Sequence, residues 1–354
     1  MAKSAGILKR AIKETPISVV DIETTGLYPG GDRIVELAVV RIEPNEKPRL
    51  VLDTLINPSR RVAATEIHGI TDHDVADAPH FEEIAGNVAS AISGSVFASY
   101  NVYFDIKFLY EELSRVGMSK ELPHMCLMYL RPMLGIGKRC SLGDACHAHG
   151  IPRDSCHQAA ADALMGSQLW EQYVDVLASK QVNTFDDLAK LKSYKFISSF
   201  SEDPLSKTTA ATLRTCSHLK SRRIPASLKE RTTGAPKEIN PATEYWDALT
   251  ATLADFSLTM DEVEYLKAKQ QSLRPSDQQI RWLHARAFSS LLAAISQDHA
   301  ITAEEVETLS KISVAMRALG WAPGDSLADA LHNQVPALTA EKKPGAWDWL
   351  CFWK

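Results

Sequence analysis

The sequence predicts a mixed α/β domain, then a basic stretch, then an all-helical region. Three observations carry this. Short apolar, β-branched runs joined by tight turns fill the first sixty residues. Helical spacings then alternate with further short strands up to about residue 180. Beyond residue 240 the chain carries helix-start and helix-stop signals. With 354 residues, 45% hydrophobic and 23% charged, it is long enough for two or three domains and too ordinary in composition for global disorder, collagen-like repeats or a coiled-coil rod.

Residues 17–23 (Ile-Ser-Val-Val-Asp-Ile-Glu) read as a buried strand, short and rich in β-branched residues. Thr24-Thr25-Gly26 and Pro29-Gly30-Gly31 punctuate the turn that follows. Residues 34–42 and 50–56 are the second and third strands, and their short connections favour antiparallel neighbours. Helical spacing covers 81–92, a fourth strand 95–99, a helix 104–115 and a fifth strand about 125–130. Helices are expected over 141–149 and 157–177.

These readings divide the chain into a mixed α/β domain at 1–180, a basic linker at 181–240 and a helical domain at 241–354. Lys/Arg and Asp/Glu number 18 and 23 in the first segment, 11 and 6 in the second, and 10 and 15 in the third, so the overall charge of −5 hides a basic middle. Its centre, 214–237, has seven Lys/Arg opposed only by Glu230. Such a stretch is either a solvated linker or a strap that follows phosphates by releasing counterions. The helical region shows an internal repeat at an offset of 43, in which residues 255–266 match 298–309. Each copy enters a helix through a capping box, Thr259-x-x-Glu262 and Thr302-x-x-Glu305. Asn240-Pro241 reads as a further helix start, and Gly320 as a stop after Leu319. The repeat lacks the ligands and central glycine of a calcium loop.

No run of eighteen apolar residues suggests a membrane span, and the N-terminus lacks the apolar stretch of a secretory signal. Six cysteines in a chain of this length do not form a disulfide scaffold, so the cytoplasm is the expected compartment. Cys140, Cys146, His147, His149, Cys156 and His157 cluster, but their spacings match no common zinc pattern.

Asp21 and Glu23 lie two apart on a strand, so their side chains share a face. Side by side they repel, and one tends to take up a proton unless a cation intervenes. A strand-end pair reaching water is the plainer reading. Asp105 falls at the start of a helix, where the dipole alone would favour an acid. His157-x4-Asp162 lies at another helix start, at a spacing that puts both within reach of one centre, with alanines between them leaving room for something bulky.

Together, Val20-Asp21-Ile22-Glu23-Thr24-Thr25-Gly26-Leu27, Ile67-His68-Gly69-Ile70-Thr71, Asn101-Val-Tyr-Phe-Asp105 and His157-x4-Asp162 resemble the DEDDh 3′–5′ exonuclease family, which includes proofreading subunits of DNA polymerase III. The resemblance covers about residues 15–180. It implies an RNase H-like fold with a five-stranded mixed sheet flanked by helices. It implies that Asp21, Glu23, Asp105 and Asp162 hold two Mg²⁺ or Mn²⁺ ions, and that His157 is the general base in a hydrolysis releasing nucleoside 5′-monophosphates. Thr24, Thr25, Gly26, Leu27, His68 and Asn101 would contact the substrate. The implied partners are single-stranded 3′ ends, with DNA favoured over RNA, and a DNA replication or repair protein; no membrane is involved. An exoribonuclease of the same family and a polymerase-associated accessory module are the alternatives. Two positions depart from the family pattern: Tyr100 stands where relatives often have histidine, and Met125-Cys126-Leu127 where they often have Asp-Thr-Leu. The helical repeats look like the tellurite-resistance-type helical domains found beside some exonuclease domains.

Overall fold

A computed structural model describes residues 6–118, 121–153, 157–201, 240–255, 258–295 and 301–322. The chain divides into two compact units, Met1–Glu238 and Ile239–Lys354. The basic centre at 214–237 lies outside the described residues, as does Cys156.

The first unit is built on five strands, β1 (Ile17–Thr24), β2 (Ile34–Ile42), β3 (Arg49–Leu55), β4 (Val96–Ser99) and β5 (His124–Cys126), in the order β3-β2-β1-β4-β5. The β1–β2 and β2–β3 pairs are antiparallel, and β1–β4 and β4–β5 are parallel. This is the RNase H-like sheet. Short turns allow the antiparallel half. The parallel half needs crossovers, supplied by helices. The short helices α1 (Thr65–His68) and α2 (Asp72–Val75) precede α3 (Phe81–Ile92), which leads into β4; α4 (Val102–Arg115) connects β4 to β5. Then come α5 (Leu127–Leu134), α6 (Leu142–Ala148) and α7 (Ala159–Ser179). Central β1 and β2 are almost wholly buried, as near-continuous Ile/Val runs require.

Three expectations change. The fifth strand is three residues long, and Leu127 begins α5 rather than continuing it. The last helix begins at Ala159, so His157 lies outside it, in a left-handed backbone conformation with φ 55°. The alanines of this helix face the protein: Ala159, Ala160 and Ala163 are at most 2% exposed. A Cβ on Gly166 would sit 3.0 Å from Val19 Cγ1, so small residues let α7 lie close on β1. The room they leave is filled by the helix's own approach.

The folded polypeptide also continues past residue 180. Residues 185–191 form α8, and Lys195–Ser201 a 3₁₀ helix. Ser199 Oγ accepts from the His124 amide at 2.9 Å, the Ile7 amide donates to Phe200 O at 2.9 Å, and Phe185, Phe196 and Phe200 are fully buried. Three phenylalanines in sixteen residues have too much apolar surface to leave in a solvated linker.

In the second unit Asn240 caps α9 (Pro241–Thr252), its side chain accepting from the Ala242 amide at 3.0 Å. The expected capping boxes open α10 (Met260–Leu273) and α12 (Ala303–Ala318), with α11 (Asp277–Ile295) between them. Gly320, at φ 108°, follows Leu319 at the end of α12. Among the described residues, no helix is long and apolar enough to cross a membrane.

Candidate active site

Alternation along β1 places Asp21 and Glu23 on one face of the sheet, near the end of the strand. Asp105 enters from the first turn of α4 and is 4% exposed. The Ser99 hydroxyl, at the end of β4, donates a short hydrogen bond to Asp105 Oδ2. Asp162 comes from the first turn of α7. One ligand atom from each of Glu23, His157 and Asp162 lies within 4.8 Å of the others.

Electrostatics ties the remaining acids to this group. Burial, then the carboxylates of Asp162, Asp105 and Glu23, hold Asp21 well above the usual carboxylate range. Asp105 is pushed up to about 7, first by burial and further by Asp162; hydrogen bonds from Ser99 and the backbone oppose the rise. Crowded carboxylates with raised proton affinity are electrostatically frustrated, and a divalent cation removes that frustration. The donor set of carboxylate oxygens suits hard cations such as Mg²⁺ and Mn²⁺. His157 holds its place at a non-glycine left-handed φ, which costs about 1–3 kcal/mol and recurs where surroundings over-determine a residue. Among the described residues, Cys140 and Cys146 form no disulfide, and no group suited to a metal includes a cysteine.

The loop after β1 is closed on itself. The buried Thr25 hydroxyl donates to Asp32 Oδ1 at 2.9 Å and accepts from the Arg33 amide at 3.1 Å. Asp32 Oδ2 accepts from the Tyr28 amide at 3.1 Å, and Arg60 lies 3.4 Å from Oδ1. A Cβ on Gly26 would collide with the Asp32 carboxylate and displace it from its bonds to Thr25 and the Tyr28 amide. Thr24 Oγ1 donates to Gly26 O at 2.5 Å. Both threonine hydroxyls are engaged within the loop, where Gly26, Leu27 and Tyr28 are partly exposed. Arg33 extends this frame to α4 through a paired contact with buried Glu112, at 2.6 and 2.8 Å.

His68 is likewise committed locally. Its Nδ1 accepts from the Ile70 amide at 3.0 Å, and Nε2 lies 3.1 Å from Ala63 O, which makes it a turn organiser. Asn101 differs. It occupies the cap position of α4 without a side-chain capping bond, and among the described residues its buried Oδ1 has no hydrogen-bond partner. Tyr100, at the first departure from the family pattern, donates to Cys140 O at 2.8 Å and supports the entry to α6. Glu36, which sequence reasoning missed, is 5% exposed on β2 opposite Glu23. A charged residue inside Ile-Val-Glu-Leu-Ala, in the middle of a buried strand, was the available signal.

Residues 18–169 match the protein-family model for the Exonuclease (RNase_T) family. The chain is 33% identical over 187 residues to a DNA polymerase III subunit epsilon-like protein of Rhodobacter capsulatus, an alignment covering 49% of this chain and 27% of that protein. It is 28% identical to a PolC-type DNA polymerase III of Thermotoga maritima, covering 49% and 13%. The aligned region thus spans under a third of either relative. A DNA polymerase III subunit epsilon of Haemophilus influenzae is 26% identical, with 49% of this chain and 72% of that protein aligned. A solved structure of Exonuclease X in complex with 5′ overhanging duplex DNA is 23% identical and covers 49% of this chain and 98% of that one, with a TM-score of 0.39. Residues 18–169 are thus similar to the exonuclease family and to DNA polymerase III epsilon-like proteins.

Proposed function

We propose that the sheet-bearing unit is a metal-dependent 3′–5′ exonuclease that removes nucleoside 5′-monophosphates from DNA 3′ ends. The observation that carries this reading is the convergence of Asp21, Glu23, Asp105 and Asp162 with His157. The four carboxylates would hold two Mg²⁺ or Mn²⁺ ions. When bound, such ions polarise the scissile phosphate and acidify a water molecule. His157 takes the attacking water's proton through a ring nitrogen, a role in which imidazole often serves. The folded loop around Gly26 receives the terminal nucleotide, and the buried Asn101 Oδ1 accepts a hydrogen bond from the substrate or its water. DNA is favoured over RNA because the relatives are DNA polymerase III proteins. A replication or repair protein is the partner that fits the same relatives.

The test is His157→Ala on a labelled single strand with Mg²⁺. The rate should fall by roughly 10²–10⁴ while strand affinity stays near wild type. Cleavage at the wild-type rate would make the histidine structural and remove the proposed base.

A further inference from the structure

We propose that Glu36 is a positioning residue for the catalytic end of α7, acting from β2 as a cap supplied across the sheet. This rests on the exonuclease reading above, because it concerns the two residues that flank the capped amide. A helix start leaves backbone N–H groups without intrahelical partners, and a side chain at the cap position usually satisfies one. Here the cap residue is Gln158, and its side chain makes no such bond. Glu36 Oε2 accepts from the Ala159 amide instead, at 3.1 Å, with both groups buried. That bond joins residues 123 apart in the chain.

Its place in the fold gives it leverage. His157 precedes Ala159 by two residues, and Asp162 follows it by three. Holding the Ala159 amide therefore fixes both the proposed base and a proposed metal ligand. At the other end, the β1–β2 register sets Glu36 directly opposite Glu23, so the two side chains share a face. The register shifts immediately beyond this pair, between Glu23 and Thr24, and such irregularities re-aim side chains near sites. The site thus has one carboxylate that binds the start of the helix. Glu36 also adds to the crowding around Asp21, and the positive end of α7 lies against its charge.

The test uses the full chain, Mg²⁺ and a labelled DNA single strand. Glu36→Gln keeps an acceptor oxygen; Glu36→Ala removes it. The alanine variant should lose about 10–100-fold in kcat with KM within about threefold, since small misplacements of reacting groups cost rate more than binding. The glutamine variant should stay within about fivefold of wild-type kcat. Hydrogen exchange read on fragments covering residues 157–165 should be about five- to tenfold faster in the alanine variant and unchanged in the glutamine variant. Should Glu36→Ala fail to fold, Glu36→Asp, one methylene short of the amide, takes its place with the same readouts. Glutamine as damaging as alanine, together with a raised Mg²⁺ requirement, would make Glu36 a metal ligand and overturn the proposal. Unchanged kcat and exchange in the alanine variant would overturn it too. An inactive wild type would overturn the exonuclease reading instead, and the exchange comparison alone would then decide whether Glu36 holds α7.

Discussion

In the helical unit, buried His284 has both ring nitrogens engaged. Its Nδ1 donates to Trp321 O at 2.6 Å, and Nε2 accepts from the Tyr245 hydroxyl at 2.8 Å. Gln270 donates to Tyr245 Oη at 2.9 Å and to Leu319 O at 2.7 Å. Every bond in this chain has a donor facing an acceptor, and burial lowers the His284 pKa so that the ring stays neutral. At the candidate site of the sheet-bearing unit, buried carboxylates crowd one another, and Asp21 and Asp105 rise in pKa through burial first and then through their neighbouring carboxylates. Both regions are polar cores, yet one is internally satisfied and the other requires something from outside. A satisfied network specifies a fold, whereas concentrated like charge marks a place where a cation is expected.

Changes in the two regions should separate stability from activity. Tyr245→Phe leaves the His284 acceptor and a Gln270 donor unmatched in the core, and should cost about 1–3 kcal/mol of stability in the helical unit. Thermal melting would measure this, with strand cleavage at moderate temperature near wild type. A large loss of cleavage without a loss of stability would mean the helical unit takes part in the chemistry. In the loop after β1, Asp32→Ala releases Thr25 and the Tyr28 amide, and should raise KM roughly tenfold while kcat stays within about threefold. A fall in kcat alone would place Asp32 closer to the reaction than to substrate seating.

The pH dependence should run in a stated direction. Asp105 has a folded pKa of about 7, above its unfolded value, so the folded state binds more protons between about pH 4 and pH 7. Its unfavourable contribution is therefore absent below the unfolded pKa, grows between about pH 4 and pH 7, and levels off above that. Asp105→Asn removes the charge. In EDTA-treated protein, it should raise the melting temperature relative to wild type, by a gap that is near zero at pH 4 and largest above pH 7. The gap should shrink when Mg²⁺ is restored to wild type. An equal gap at all pH values would mean the frustration is not electrostatic.

Much of the site was legible because it rests on short-range rules. Two-residue alternation puts Asp21 and Glu23 on one face, and first-turn positions hold Asp105 and Asp162. What escaped depends on contacts between distant residues. Glu36 meets Ala159 across 123 positions, and Asp32 gains its meaning from the fold of its own loop. His157 looked helical because its neighbours Ala159–Ala163 are strong helix formers; its left-handed φ is a tertiary result. The fifth strand was overdrawn because Met-Cys-Leu-Met-Tyr-Leu has no period that separates strand from buried helix. The strand and helix pattern ends near residue 180, whereas the buried Phe185, Phe196 and Phe200 carry folded structure further.

The central claim is that the crowded carboxylates form a divalent-metal site for cutting nucleic acid from its 3′ end. The most direct measurement is digestion of a 5′-labelled DNA single strand by the wild type with Mg²⁺, beside the wild type in EDTA and Asp21→Asn with Mg²⁺. The expected result is a ladder of labelled products shortened one nucleotide at a time from the 3′ end. Cleavage should fall at least about a hundredfold both in EDTA and in the variant, as loss of transition-state charge stabilisation worth several kcal/mol requires. Release of the label as a mononucleotide at the first step, or undiminished cleavage in EDTA and by Asp21→Asn, would contradict it.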